Sequence, residues 1–289
     1  MARHIHIMST TASAKETPIA VLDSITQATE SQRGTVLVAG SHCGGFCGWY
    51  AVRAGLHGAI LNDAGGGLDR AGILGLDWMQ RAGMPAAAVS HLSARIGDGR
   101  DMMDRGTISF CNATAGSLGV TPGMPAAQAA RMMAAATVTP QHTHEAHAET
   151  RRLLVHDNGH GIEIVGLDSN SLVRPDDVRR IVVTGSHGGL LGGRAASAIR
   201  VAARAATYND AGGGIDGAGY SRLPALDAMG IPAVTVHHDS ARIGDARSSW
   251  ETGVVSRVNA LAGGLGIREG MALREAMLRI GQHSFHESQ

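Results

Sequence analysis

Aromatic side chains are almost missing from this chain: three Trp, three Tyr and three Phe serve 289 residues. A core must therefore be filled by Ala, Val, Ile and Leu, which belong to the 44% of residues that are apolar. Lysine is rarer still. The 25 basic residues are 24 Arg and the single Lys15, which lies in a polar N-terminal lead. That argues against a Schiff-base or phosphate-loop lysine and leaves any anionic group to arginine, whose planar fork suits carboxylates and phosphates. The three cysteines, Cys43, Cys47 and Cys111, all fall in the first half. Their second-half counterparts are not Cys, which argues against a disulfide framework or a cysteine-held metal common to both halves. Cys43 at a helix start is a candidate nucleophile, against the commoner fate of a small buried residue. Net charge is absent too, with 25 basic against 25 acidic residues, so nothing draws the chain to nucleic acid or an anionic membrane. No 18-residue apolar run and no basic-then-apolar leader occurs, which predicts a soluble, cytoplasmic protein.

What the chain has in plenty is glycine, 40 in all, and it has a repeat. Asn62-Asp63-Ala64-Gly65-Gly66-Gly67-Leu68-Asp69 returns as Asn209-Asp210-Ala211-Gly212-Gly213-Gly214-Ile215-Asp216, 147 residues on. Ser93-Ala94-Arg95-Ile96-Gly97-Asp98 returns at the same offset as Ser240-Ala241-Arg242-Ile243-Gly244-Asp245. Gly40-Ser41-His42 matches Gly185-Ser186-His187 at 145, so a two-residue length change lies between motifs. These matches read as a tandem duplication: one α/β repeat over 1–140, a linker over 141–150 and a second repeat over 151–289.

Within each copy, short β-rich runs alternate with helical stretches. Pro18–Leu22, Thr35–Ala39, Ala59–Leu61 and Ala86–Val89 read as strands, as do Ile181–Thr184, Ala205–Tyr208 and Ala233–Val236. Helices are expected after the first core strand to about Arg53, to near Gly83, near 193–204 and near 218–229. A Met- and Ala-rich section closes the first copy near residue 136. Asn158-Gly159 between two alternating runs predicts a tight hairpin. The expected fold is α/β: two Rossmann-like three-layer domains with mainly parallel sheets, related by a pseudo-two-fold axis. The three repeated motifs would sit at the carboxyl ends of strands and build one crevice per half.

The residue types suggest roles. Adjacent Ser and His on a strand point to opposite faces, so His42 is expected to pair with Asp63, and His187 with Asp210, as general bases. Ser41 and Ser186 are candidate substrate-binding groups; the alternative is that they cap helices and the histidines bond backbone. Gly65, Gly66, Gly212 and Gly213 would bring backbone N–H groups to a ligand, beside Asn62 and Asn209. Residues 212–217 fit G-x-G-x-x-G, but Arg70 breaks the pattern in the first copy, so a dinucleotide is weakly supported. Arg95 and Arg242 are candidate clamps for a carboxylate or carbonyl, held by Asp98 and Asp245, unless each pair is only an internal salt bridge. Ser93 and Ser240 are candidate donors or nucleophiles. No cofactor is expected. No established metal motif occurs, although Asp63 and Asp69 with His42, or Asp210 and Asp216 with His187, leave a divalent ion open. His142, His144, Glu145 and His147 in the linker read as a solvated connector, with a metal site as the minority reading.

These parts fit an enzyme acting on a small polar or anionic metabolite. Hydrolysis of a C–N (amide or cyclic amide) or ester bond is the first expectation. Isomerase or lyase chemistry next to a carbonyl, or non-catalytic sensing of an anionic ligand, are the alternatives. A homo-oligomer is compatible with the sequence.

Overall fold

The structure, a computed structural model, describes residues 17–141, 145–156 and 162–283. Two sheets organise it. The first contains β1 (Ile19–Leu22), β2 (Val36–His42), β3 (Gly58–Asn62), β4 (Ala86–Val89) and β5 (Ile108–Cys111), in that spatial order. β1 to β4 are parallel and β5 runs antiparallel to β4. The second contains β6 (Arg151–Val155), β7 (Ile164–Leu167), β8 (Ile181–His187), β9 (Ala205–Asn209), β10 (Ala233–Val236) and β11 (Val255–Val258), again in sequence order. Here β7 to β10 are parallel, and β6 and β11 close the two edges antiparallel. The chain is thus α/β with two mixed, mostly parallel sheets. Neither sheet has the central reversal of strand order that opens a switch-point crevice in doubly wound folds. The pairing of β6 with β7 agrees with the two alternating runs, while the expected turn at Asn158-Gly159 and the N-terminal lead lie outside the described residues.

The helices are α1 (Gly45–Arg53), α2 (Gly75–Arg81), α3 (Gly99–Arg105), α4 (Ala113–Ser117), α5 (Ala126–Ala135), α6 (Arg222–Ala228), α7 (Ala246–Thr252), α8 (Ala260–Gly264) and α9 (Leu273–Gln282). Alternation along the strands divides the apolar residues between two faces. Leu37, Ala39, Ala59 and Leu61 pack under α1 and α2, whereas Val36, Val38, Ile60 and Val89 pack under α3 and α5. The second sheet is covered likewise, by Leu223 and Leu226 on one face and by Trp250, Ala276, Met277 and Ile280 on the other. Small residues compensate for the missing aromatics by letting backbones close up. A Cβ on Gly48 of α1 would stand 2.4 Å from the Gly75 Cα of α2.

One expected helix is not formed. After β8, where the helix over 193–204 was anticipated, the chain makes two short 3-10 turns, Leu191–Gly193 and Ala195–Ser197. Two physical reasons stand out. Gly192 and Gly193 take φ of 56° and 68°, outside the right-handed helical region. And the residue 147 on from Gly75 is Arg222, too large for the close backbone contact that α1 makes there. Its buried guanidinium instead donates to the carbonyls of Ser197 and Ala198, which a longer helix would have used internally.

The two sheets meet through the glycine loops after β3 and β9. Ala64, Gly65, Gly66 and Gly67 have φ of 49°, 74°, 74° and 65°; Ala211, Gly212, Gly213 and Gly214 have 51°, 77°, 72° and 67°. Each Asn ahead of its loop ties the curl, Asn62 accepting from Ala64 N at 2.9 Å and Asn209 from Ala211 N at 2.9 Å. The loops then face each other. Leu68 N donates to His238 O at 2.9 Å, and Ile215 N donates to His91 O at 2.8 Å. A Cβ on Gly212 would lie 2.7 Å from the His91 ring and 3.2 Å from Gly65 Cα. Gly212→Ala should therefore cost at least about 2 kcal/mol, combining left-handed backbone strain with that overlap. Chemical denaturation measures it, and a change below about 0.5 kcal/mol would mean that the contact between loops is loose.

Candidate functional site

The strand ends do not form one crevice per half, as anticipated; the ends of β2 and β8 open onto a shared cleft. Its walls include Ser41, His42, Phe46 and Cys47 from the first half and Asp168, Ser186, His187, Arg194, Arg200 and Arg222 from the second, with Glu149 between them. The volume is about 330 Å³. A further cavity of about 430 Å³ adjoins it, sharing His42, Phe46, Glu149 and Asp168 and reaching Arg152, Arg242 and Arg247.

The anticipated His42–Asp63 and His187–Asp210 pairs are not made. Asp63 N donates to Val89 O at 2.8 Å, drawing the carboxylate toward β4, and His91 stands two residues beyond the end of that strand. His91 Nδ1 lies 2.8 Å from Asp63 Oδ1, which also accepts from the amides of Gly65 and His91, while Ser109 donates to Oδ2. Asp210 repeats this with His238 Nδ1 at 3.1 Å. Burial pushes both carboxyls up, but the hydrogen bonds from His91 and Gly65, or from His238, Ser256 and Gly212, outweigh it and hold them below the ordinary range. These pairs anchor the junction between the loops, and neither His91 nor His238 lines the cleft.

His42 and His187 do line it, with ring centroids 6.4 Å apart and planes at 77°. His42 Nδ1 accepts from Gly44 N at 3.1 Å and His187 Nδ1 from Gly189 N at 3.2 Å. A neutral ring that accepts at Nδ1 carries its proton on Nε2, so each histidine presents an N–H donor. Burial lowers His42 to about 4. His187 is lowered as well, by burial first and then by the charges of Arg222 and His42. Both are neutral near pH 7, and neither is oriented by the aspartate that its sequence position suggested.

The carboxyl that stands out in the cleft is that of Glu149, and nothing in the sequence marked it. Burial, helped by the Asp168 charge, raises its carboxyl to about 7 against the hydroxyls of Ser169 and Ser171 that donate to it. The linker that reads as a solvated connector is in part packed down. Trp49 Nε1 donates to Glu145 O at 2.8 Å, and the His147 ring lies 5.4 Å from Trp78. His142 and His144 lie outside the described residues. Arg194 pairs with Asp23 at 3.2 Å, while Arg200 lines the cleft with no hydrogen bond or ion pair among the described residues.

The other candidates make hydrogen bonds within the fold, Ser41 and Ser186 while lining the cleft, and Arg242 and Asp245 while lining the adjoining cavity. Ser41 Oγ accepts from Ile25 N at 2.9 Å and Ser186 Oγ from Asn170 N at 2.8 Å. Ser93 Oγ donates to Ser90 O and accepts from Thr107 N; Ser240 donates to His237 O and accepts from Val254 N, so neither is poised as a nucleophile. Asp98 and Asp245 cap α3 and α7 through Asp101 N and Ser248 N, both at 2.9 Å. They are not the main partners of the arginines: Arg95 reaches 4.0 Å from Asp98 but 2.9 Å from Asp216 across the junction. Arg242 likewise reaches Asp69, with Nε at 2.7 Å. Cys43 is fully buried and Cys47 nearly so, and burial pushes both thiols up, which removes the case for a thiolate nucleophile. Cys47 Sγ stands 4.0 Å from His42 Nε2. Gly66 and Gly213 belong to the loops with Gly65 and Gly212, whose amides serve the junction.

Compared with known proteins, the chain matches no protein-family model, no curated protein and no solved structure. No helix among the described residues is long and apolar enough to cross a membrane.

A carboxyl raised by folding favours the folded state below its unfolded value, and that contribution is lost as pH rises through the folded value. Glu149→Gln removes the titration. It should leave stability unchanged near pH 4 and raise it by about 1–3 kcal/mol above pH 7. Melting curves of both proteins across pH 4–9 give the comparison; parallel curves would place Glu149 in ordinary solvent.

Proposed function

We propose that the chain is a tandem duplication, with copies over 1–140 and 151–289 joined by 141–150 and related by a pseudo-two-fold axis. We propose further that the cleft between the copies hydrolyses a C–N (amide or cyclic amide) or ester bond in a small polar or anionic metabolite. The duplication is supported by contacts that recur 147 residues apart, among them Asp63–His91 with Asp210–His238 and Arg95–Asp216 with Arg242–Asp69. The single observation that carries the chemistry is a carboxyl raised to about 7 in one cleft with two buried neutral imidazoles.

A base half ionised near neutral pH is well matched to proton transfer. Ionised Glu149 takes a proton from water, whose oxygen attacks the acyl carbon. The carbonyl oxygen gains charge and accepts from the Nε2–H of His42 and of His187, fixed donors that need no reorganisation. When the tetrahedral centre collapses, the C–N or C–O bond breaks and Glu149 returns the proton to the leaving atom. Arg200, with Arg194 near it, binds an anionic group on the substrate. The same base and donors would serve removal of a proton next to a carbonyl, because two N–H groups suit an enolate oxygen equally well. Solvent deuterium entering recovered substrate, without release of acid or amine, distinguishes that reaction.

Assays against linear amides, cyclic amides and esters, with and without a carboxylate, test the assignment. Glu149→Gln should lower kcat at least about 100-fold with KM little changed. Arg200→Ala should raise KM for the carboxylate-bearing substrates about tenfold or more and leave neutral ones alone. Full turnover in Glu149→Gln would remove Glu149 as the base.

A further inference from the structure

The tripeptide that follows β10 is His237-His238-Asp239, whereas the tripeptide 147 residues earlier, after β4, is Ser90-His91-Leu92. Only the central histidine is common, and it has the same duty in both places, pairing with the buried aspartate and giving its carbonyl to the opposite loop. The flanking residues differ in one consistent way. Both are potential metal ligands in the second half and neither position offers an imidazole or carboxylate in the first.

The fold gathers these extra donors. Asp210, His237 and His238 each present one ligand atom, and the three atoms lie within 4.8 Å of one another. The two imidazoles stack, with centroids 4.5 Å apart and planes at 27°. The Asp239 carboxylate is 3.9 Å from His237 Nδ1 and 3.6 Å from His238 Nε2. Asp210 is buried and fixed by the amides of His238 and Gly212, which is the kind of outer support that holds a ligating carboxylate in place. His237 and Asp239 are open to solvent, so an ion has a way in.

We propose that Asp210, His237 and His238 form a binding site for a divalent transition cation of the zinc class, with Asp239 as a fourth ligand. Two imidazoles and a carboxylate are a zinc donor set. Zinc–ligand bonds of about 2.0–2.2 Å place tetrahedral ligand atoms about 3.3–3.5 Å apart, so the site closes by at most about 1.5 Å. The half-exposed His237 side chain has room to supply that movement. The site is separate from the cleft, whose walls include none of these residues. Because the His238 carbonyl accepts from Leu68 N, an ion here bears on the junction between the sheets and should raise the melting temperature.

Zinc chloride titrated into the full chain by calorimetry, with cobalt absorption as a second readout, tests the site. His237→Ser and Asp239→Leu install what the first half carries. His237→Ser should weaken zinc binding at least about tenfold and abolish the tetrahedral cobalt band, and Asp239→Leu should weaken binding to a smaller degree. The metal-free melting temperature of both variants should match the parent, which separates loss of a ligand from loss of fold. No zinc binding by the parent, or an isotherm unchanged in His237→Ser, would overturn the proposal and assign any bound ion to the other histidines of the chain.

Discussion

The face-to-face packing of two left-handed glycine loops is the constraint on which the rest of the molecule depends. With a side chain on either Gly65 or Gly212 the loops could not approach as they do, since each backbone lies against the other and against a histidine ring from the opposite sheet. That approach sets Leu68 under the His238 carbonyl and Ile215 under the His91 carbonyl. It also brings the ends of β2 and β8 together, so that His42 and His187 share one cleft. The exposed ion pairs across the junction add little by themselves, because solvent screens them and long side chains must be ordered to form them. Backbone hydrogen bonds and close contact do most of the holding.

Much of this was legible in the residues. Alternating strand and helix signals located nearly every parallel strand, and the repeated motifs fall at strand ends as the βαβ pattern requires. The histidine partner of each aspartate comes from the opposite neighbouring strand to the one expected, because sequence shows which residues end strands but not which way a carboxylate turns. The amide of Asp63 is bonded to β4, and that turn gives the carboxylate to His91 in place of His42. The missing helix after β8 was hidden for another reason: its cause is Arg222, distant in sequence and facing the turns only in the folded chain. Glu149 was invisible because its environment is wholly tertiary. A single Glu in a polar linker has no periodicity or spacing to distinguish it, and only burial beside Asp168 makes it unusual.

The cleft also shows how buried polar groups coexist without a net of opposite charges. His42 and His187 lose their charge and satisfy Nδ1 with a backbone amide, and Glu149 is raised into the neutral range among hydroxyls. Arg222 keeps its charge and satisfies it on the carbonyls of His187, Ser197 and Ala198, with its guanidinium over the Tyr208 ring. Among the described residues, His187 Nε2 and Arg200 have no hydrogen-bond partner and His42 Nε2 has only the weak Cys47 thiol, which is why a ligand bearing an acceptor and an anion suits this space.

The junction contacts join residues far apart along the chain: Arg95 and Asp216 are separated by 121 positions, and Arg242 and Asp69 by 173. Each sheet, by contrast, is assembled from strands that are neighbours in sequence. Loop closure over such distances is slow to be rewarded, so the sheets have the means to form first and dock afterwards. During synthesis the first sheet leaves the ribosome with its glycine loop facing water and with His91 lacking the second loop against its ring. The cleft comes into being only when β8 to β10 have been made and have closed on the first sheet, which makes it a late product of folding that the first sheet alone does not carry.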